Sequence, residues 1–494
     1  MQQLTTQDAI FLSMETPELP GHIGGLAFLA PTEGHPFSYA TFVDFVRERL
    51  GSVDRFSWRL QEVPFGLDRP YWVTCRNFDP ADHVHSVRIP EPYSDEELAK
   101  LVGRIFERPM DRAQPLWDIV LIEGLPGGRY AMLWRMHHCL MDGASGANVS
   151  EQLFDLSPDA QRDVPAPIAD AAEAGEPVSD LTMWANAARN ASELPLRQGK
   201  LLGRLIEGAR RSRNDAKAAE KAAARKRTRK GAKGRKPANA EDDGLAPPAL
   251  WNGVVGPHRR VAWTSISLDQ VKQLKNTLGV TVNDVVLGIT GGAARDYLRD
   301  RGALPEKSLL AMVPCSTRKS DDKALGNNLT DLAITWGTDL ADPIERIAAI
   351  HEHASEAKAR AQDDHLPGVL EVIGEVLLPG AANLFARGSA AFGDKVPLPT
   401  NAVVSNVPMT PFPLYVGSAR IEQMVPVSLL GPTQGINLTL LSYCGQIYFG
   451  LVYDPDLMPD AWEFVGRIPK NLLALQEAVS REFETGGTDG LADG

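Results

Sequence analysis

Residues 197–236 constrain this chain more than any other stretch. They hold 16 Lys or Arg against three acids, Glu207, Asp215 and Glu220, and contain no aromatic residue. Ala, Lys and Arg dominate from Lys217 to Lys236, and the Pro-, Asp- and Gly-containing run Pro237–Pro248 then interrupts any helix. A segment so rich in charge and so poor in apolar surface does not build a core. It divides the chain into an N-terminal domain over 1–195, a basic, partly disordered linker over 196–250, and a C-terminal domain over 251–494. The last stretch, Thr485–Gly494, is expected to be mobile. The segment alone carries +13 and the whole chain -12, so the remainder carries -25. An acidic body with a basic belt bears on partners.

Both flanking regions mix helix and strand signals. Helices are expected from Thr6, over Tyr39–Leu50, over Asp95–Phe106 with Ser94 as N-cap, and over Leu268–Leu278. Gly25–Ala30, Tyr130–Met136 and Leu309–Pro314 read as strands. The 494 residues, 43% apolar and 23% charged, are those of an ordinary globular protein. Cys75, Cys139, Cys315 and Cys444 are scattered without a C-x-x-C pair, which supports neither a zinc ribbon nor a disulfide framework. A reducing cytoplasm fits that usage. The opening Met1–Ala9 lacks the basic end and apolar core of a signal peptide. No uncharged apolar run reaches the ~18 residues of a membrane-spanning helix.

The chemistry concentrates in Met136-His137-His138-Cys139-Leu140-Met141-Asp142-Gly143, where a strand ends and a helix-like segment, Ser145–Phe154, begins. Three readings compete. The two histidines can be a buried structural pair. They can join Asp142 in a metal site, although adjacent residues on a strand point to opposite faces and rarely share an ion. Or one imidazole can act as a general base, since its unperturbed pKa of about 6.5 lies near working pH. Cys139 is a weaker candidate nucleophile, because neighbouring side chains seldom align with the required base. Ser145 does not stand in a G-x-S-x-G elbow, and no Ser-His-Asp triad is visible.

Further motifs follow a fixed order. Pro115-Leu116-Trp117 and Leu121–Tyr130 precede the histidines. Thr281-Val282-Asn283-Asp284, Met312–Arg318 with Gly326-Asn327, Ser405-Asn406-Val407-Pro408, Pro413–Tyr415 through Gly435–Thr439, and Gln446–Gly450 come after them. Together they resemble the bacterial wax ester synthase/diacylglycerol acyltransferase family over nearly the whole chain except the basic linker. The resemblance implies an α/β fold of two chloramphenicol-acetyltransferase-like domains. Their mixed sheets would be flanked by helices, with an active-site tunnel between the domains. It implies acyl transfer from acyl-CoA, as co-substrate rather than cofactor and with no metal, to the hydroxyl of diacylglycerol or a long-chain alcohol. His138 would be the general base, and His137 is either catalytic or a shaper of the turn. Asp142 would be structural, with Arg318 as its candidate ion-pair partner, and Gly143 would permit the turn. Asn283 is either an oxyanion donor or the cap of a helix starting at Asp284. Trp117 lines the tunnel or anchors a core, and Ser405 and Asn406 shape a loop near the substrate. Where the family continues with Gly-Pro after Pro408, this chain has Met409-Thr410, which leaves the local turn open.

Two other functions stay open on the same fold: a catalytically silent lipid-binding or lipid-droplet protein, and a condensation-type acyltransferase with another acceptor. The basic belt over 211–236 is a solvated linker, a peripheral contact with an anionic membrane or lipid droplet, or a nucleic-acid contact. The last is not expected, because no aromatic residues interleave the cations and no nucleic-acid fold signature accompanies them. The location expected is cytoplasmic, with peripheral attachment to the inner membrane or to lipid droplets.

Overall fold

The computed structural model describes residues 2–50, 53–75, 78–140, 153–159, 177–203, 245–316, 329–363 and 398–486. The first half runs β1 (Gln2–Gln3), α1 (Thr6–Met14), β2 (His22–Pro31), α2 (Tyr39–Leu50), β3 (Trp58–Gln61), β4 (Tyr71–Thr74) and β5 (Val84–Arg88). It continues with α3 (Asp95–Phe106), β6 (Trp117–Glu123), β7 (Tyr130–His137) and a helix over 180–203, α4. The second half runs β8 (Arg260–Ser267), α5 (Leu268–Leu278), α6 (Val282–Asp300), β9 (Leu310–Ser316), β10 (Leu329–Thr335) and α7 (Pro343–Asp363). It ends with β11 (Ala402–Pro408), β12 (Tyr415–Val416), β13 (Ala419–Val427), β14 (Ile436–Tyr443), β15 (Gln446–Tyr453) and α8 (Ala461–Gly486).

The helices follow from their apolar spacing. α2 buries Phe42, Phe45, Val46, Arg49 and Leu50, a stripe at helical period. α3 opens on Ser94, whose hydroxyl accepts the Glu97 N–H at 3.2 Å, and its first turn carries Asp95, Glu96 and Glu97 at the positive end of the helix dipole. α6 is buried along most of its length, and its Gly288, Gly291 and Gly292 lie directly under Ile347, Trp336 and Asn471. Side chains at those glycines would push α7 and α8 away. Trp251 is fully buried among Tyr297, Trp336 and Phe464, with ring centroids 6.2, 6.4 and 6.2 Å distant, and donates its Nε1–H to Asn401 O at 3.2 Å. The second half therefore starts on an aromatic anchor.

Two six-stranded mixed sheets form the body, ordered β12-β13-β2-β7-β6-β5 and β10-β9-β11-β14-β15-β8, and β1-β4-β3 form a small third sheet. This is the mixed α/β architecture expected. The chain is not partitioned as the composition implied, however. β12 and β13 lie in the 251–494 region, yet β13 pairs antiparallel with β2 from Ala419↔Pro31 to Val427↔Gly24. The second half completes the sheet of the first. The reason is geometric: β2 would otherwise be an edge, and an apolar strand such as Leu26–Leu29 needs a partner on each side. A second correction concerns the linker expected over 196–250. α4 runs on to residue 203 because Met183, Ala187 and Leu201 recur on its inner side and are buried. At the other end Ala246 and Ala249 are already buried. Among the described residues no single helix is long and apolar enough to cross a membrane, and α5 with α6 reach that test only as a pair bent by 106°.

The sheets touch where Gly450 of β15 meets the carbonyl of Pro426 in β13, with no room for a Cβ. Gly450→Ala is expected to lower the urea midpoint by an amount equivalent to about 1–3 kcal/mol, the usual range for overpacking a fitted contact. An unchanged midpoint would mean that the two sheets do not press on each other there.

Candidate active site

The turn after β7 is built by backbone hydrogen bonds. The His137 N–H donates to Leu116 O at 2.9 Å, the His138 N–H to Gly21 O at 2.8 Å, and the Leu140 N–H back to His137 O at 2.9 Å. His137 Nδ1 accepts the Cys139 N–H at 3.1 Å, which in the neutral ring places the proton on Nε2. His137 is 1% exposed, so its ring faces inward, whereas His138 is half-buried and stacks on Phe11 of α1 at 3.9 Å and 16°. Consecutive residues thus differ in burial, the His137 ring enclosed at the end of β7 and the His138 ring partly exposed in the turn that follows.

Beneath the turn lies a charged cluster. His137 Nε2 is 3.6 Å from Glu15 Oε1, a charge contact longer than a hydrogen bond. Arg112 grips Glu15 Oε2 through Nη2 at 2.7 Å and Nε at 3.1 Å, and the Gly21 N–H donates to Glu15 Oε1 at 3.1 Å. Burial alone would raise the Glu15 carboxyl, but the proximity of His137 and Arg112 outweighs it and holds the group well below the usual carboxylate range. Gly21 braces both imidazoles. Its carbonyl receives the His138 N–H, and a Cβ on it would fall 2.5 Å from His137 Nε2.

His22 stands opposite His137 in the β2–β7 register, with ring centroids 6.3 Å apart. Its Nε2–H donates to Arg108 O at 2.9 Å. Burial, then repulsion from Arg135 and His137, pushes its pKa down to about 3. Arg135 is itself clamped bidentately by Asp118 at 2.6 and 2.7 Å. Cys139 is fully buried, and burial, then the charges of Asp8 and Glu15, raise its thiol well above the ordinary value. That is the reverse of what an attacking thiolate needs. Among the described residues no group of three or more potential metal ligands forms.

The remaining expected site residues fall into three groups. Trp117 is 3% exposed, donates its Nε1–H to Phe56 O at 2.8 Å and stacks on His83 at 4.9 Å, the contacts of a buried aromatic anchor. Asn283 is not a helix cap. Thr281 caps α6 and closes a capping box with Asp284, while Asn283 sits inside the first turn and its Oδ1 accepts from Asn406 Nδ2 at 2.9 Å. Two separate motifs therefore meet. Ser405 and Asn406 lie in β11 opposite Thr439 and Leu440 of β14, in a strand rather than a loop. Met409 prolongs that pairing by donating its N–H to Ser442 O at 3.1 Å. Asp142, Gly143, Ser145 and Arg318 lie outside the described residues. The sequence reading missed Glu15, Arg112, Gly21 and Phe11. Glu15 and Arg112 are 97 residues apart, and neither resembles anything but a surface charge in sequence.

The His22 shift makes a pH prediction. Its folded pKa lies below the ordinary 6.5, so the unfolded chain takes up the proton first and stability falls as pH drops from 6.5 toward 3. Glu15 adds the same sign only below its ordinary 4.5. Between those values the wild type should lose up to about 1.4 kcal/mol per pH unit more than His22→Asn in urea unfolding. Parallel slopes would remove the assignment.

The sequence profile of the wax ester synthase/diacylglycerol acyltransferase catalytic domain matches residues 4–286, and that of the family's C-terminal domain matches 325–476. A Mycobacterium tuberculosis protein named probable diacylglycerol O-acyltransferase is 32% identical over 97% of this chain and 100% of its own. The solved wax ester synthase/diacylglycerol acyltransferase from Marinobacter aquaeolei VT8 superposes with a TM-score of 0.67 at 27% identity, over 97% of this chain and 100% of that one. The first condensation domain of the calcium-dependent antibiotic synthetase shares the fold, with a TM-score of 0.56 at 16% identity over 97% and 95%. This chain belongs to the wax ester synthase/diacylglycerol acyltransferase family.

Proposed function

We propose that this protein is an acyl-CoA-dependent O-acyltransferase. It moves a long-chain acyl group to the hydroxyl of diacylglycerol, giving triacylglycerol, and to long-chain alcohols, giving wax esters. The observation that carries this reading is the fixed presentation of His138, a partly buried imidazole stacked on Phe11 and backed by the turn that Gly21 and His137 brace. His138 takes the proton of the acceptor hydroxyl as its oxygen attacks the thioester carbon. The tetrahedral intermediate collapses with cleavage of the C–S bond, and the imidazolium returns the proton to the departing CoA thiolate. Both substrates bind together, so no acyl-enzyme and no further cofactor is required.

Supporting roles follow from position. His137 fixes the turn rather than transferring protons, with Glu15 and Arg112 behind it. For Asp142 and Gly143, and for Arg318 as the ion-pair partner of Asp142, the supporting roles are those that the family resemblance implies. Asn283, whose Oδ1 is engaged by Asn406, keeps its Nδ2–H as a donor for the oxyanion. Because a lipid acceptor is collected from a lipid phase, we also infer peripheral contact of 211–236 with an anionic membrane or lipid droplet. The +13 charge of 197–236 supports it, each cation near such a surface adding ~1 kcal/mol.

CoA release from palmitoyl-CoA should be followed with diolein and with hexadecanol as acceptors. His138→Ala should lower kcat/KM by about 10²–10⁴ at an unchanged urea midpoint. Full activity in that variant would overturn the mechanism, and no acceptor-dependent CoA release from the wild type would overturn the function. Glu15→Gln should lower kcat about tenfold with KM for palmitoyl-CoA retained, as misplacing a base does. A change confined to KM would place Glu15 in binding instead.

A further inference from the structure

Helix α4 has two apolar faces, and among the described residues only one is covered. Just before it, Val178 is buried, and together with Met183 and Ala187 it packs with Val63 and Tyr71. Asn186 Nδ2 donates to Tyr71 OH at 3.1 Å and Asn190 Nδ2 to Asp68 Oδ2 at 2.6 Å, while Gln61 and Val178 exchange two hydrogen bonds of 2.7 Å. These contacts fix the rotation of the helix about its axis. The opposite side then carries Leu181 at 81% exposure, Trp184 at 42%, Leu196 at 69% and Leu202 at 58%. At about 100° per residue these four share an arc of about 120°, and no charged residue falls inside it. Arg189 and Lys200 border it.

Phe65 extends the patch from another element. It lies between β3 and β4, is 86% exposed, and its ring is 6.0 Å from that of Trp184. Its backbone is left-handed, at φ 60°, ψ 13°, a conformation rarely adopted by a bulky residue. That conformation holds an aromatic ring out in solvent beside a tryptophan. Single exposed apolar residues are ordinary, but five large ones on adjoining elements are a patch.

What covers the patch is indicated by charge. The sequence that runs through and beyond the end of α4, 197–236, carries +13. Pairing this face with itself in a second copy would bring the cations at its border, Arg189 and Lys200, toward their counterparts. An anionic phospholipid bilayer accepts both features: large apolar side chains enter the headgroup–acyl boundary, and cations stay with the phosphates. We propose that the outward face of α4, with Phe65, is the surface by which this protein docks on an anionic phospholipid bilayer. The choice of a bilayer rests on the lipid-acceptor reading above.

The test is flotation of the full-length protein with phosphatidylcholine vesicles, with and without phosphatidylglycerol. Wild type should float with the anionic vesicles and much less with phosphatidylcholine alone. Phe65→Ser combined with Trp184→Ser and Leu196→Ser should reduce flotation about tenfold or more. Trp184→Leu should float like the wild type but lose part of the fluorescence quenching by brominated acyl chains. That comparison decides the matter even if the triple variant fails to fold. Undiminished flotation of a folded triple variant, equal quenching of wild type and Trp184→Leu, or equal flotation without phosphatidylglycerol would overturn the proposal. Flotation requires no turnover, so His138→Ala must float like wild type. A failure of docking is thereby distinguished from a failure of the acyl-transfer reading.

Discussion

Strand β2 is hydrogen-bonded along both edges, and the arrangement of the whole molecule depends on that. On one side β7 pairs from His22↔His137 to Leu29↔Tyr130, and on the other β13 pairs from Gly24 to Pro31. The first pairing sets where the histidine turn begins. The second ties that strand to a segment about 390 residues further along the chain. Gly24 and Gly25 make the pairing with β7 tight, the first against the carbonyl of Trp134 and the second against its ring. A strand so placed cannot slip by one residue without moving every side chain to the opposite face. The position of His138 is therefore inherited from register rather than chosen locally.

Electrostatics below the turn follow from the same placement. Glu15 and Arg112 are a partly buried pair, and such a pair gains little unless its remaining hydrogen bonds are satisfied. Here Glu15 also receives the Gly21 N–H, while Arg112 also reaches Glu62 at 3.0 Å and Leu12 O at 2.9 Å. The pair fixes the Glu15 carboxylate beside His137. On its other side His22 is held neutral, so the positive charge near the turn comes from Arg112 and Arg135, each neutralised by its own carboxylate. Arg112 is shared between two carboxylates, Glu15 and Glu62, and Arg135 is held by Asp118.

Much of the local structure was legible because it rests on short-range causes. Tyr39–Leu50 and Asp95–Phe106 fold over the expected residues, with Ser94 as the cap, since apolar period and capping chemistry lie within a few positions of each other. Family membership was legible because ordered motifs span both halves. Long-range placements were not. No local signal tells that Ala419–Val427 belongs beside His22–Pro31. The start of the linker is less legible, because basic composition begins at Arg197 while the buried spacing of Met183, Ala187 and Leu201 continues through it. Taken alone Asn283 reads as a cap, whereas the Thr281-x-x-Asp284 spacing marks Thr281 as the cap.

The β13 pairing has a consequence for how the polypeptide reaches its native state. A nascent chain that has emerged as far as residue 400 holds β2, β7, β6 and β5 but lacks the strand that closes the sheet on its β2 side. Until Ala419–Val427 arrives, the backbone groups of His22–Pro31 face open solvent along one edge, in a strand rich in apolar residues. Such an edge invites pairing with a neighbouring chain. Closing so long a loop is also slow compared with forming local helices. Synthesis order thus leaves the half that bears the histidines exposed to misassociation for longest, and a fragment truncated after the first half would keep that edge bare.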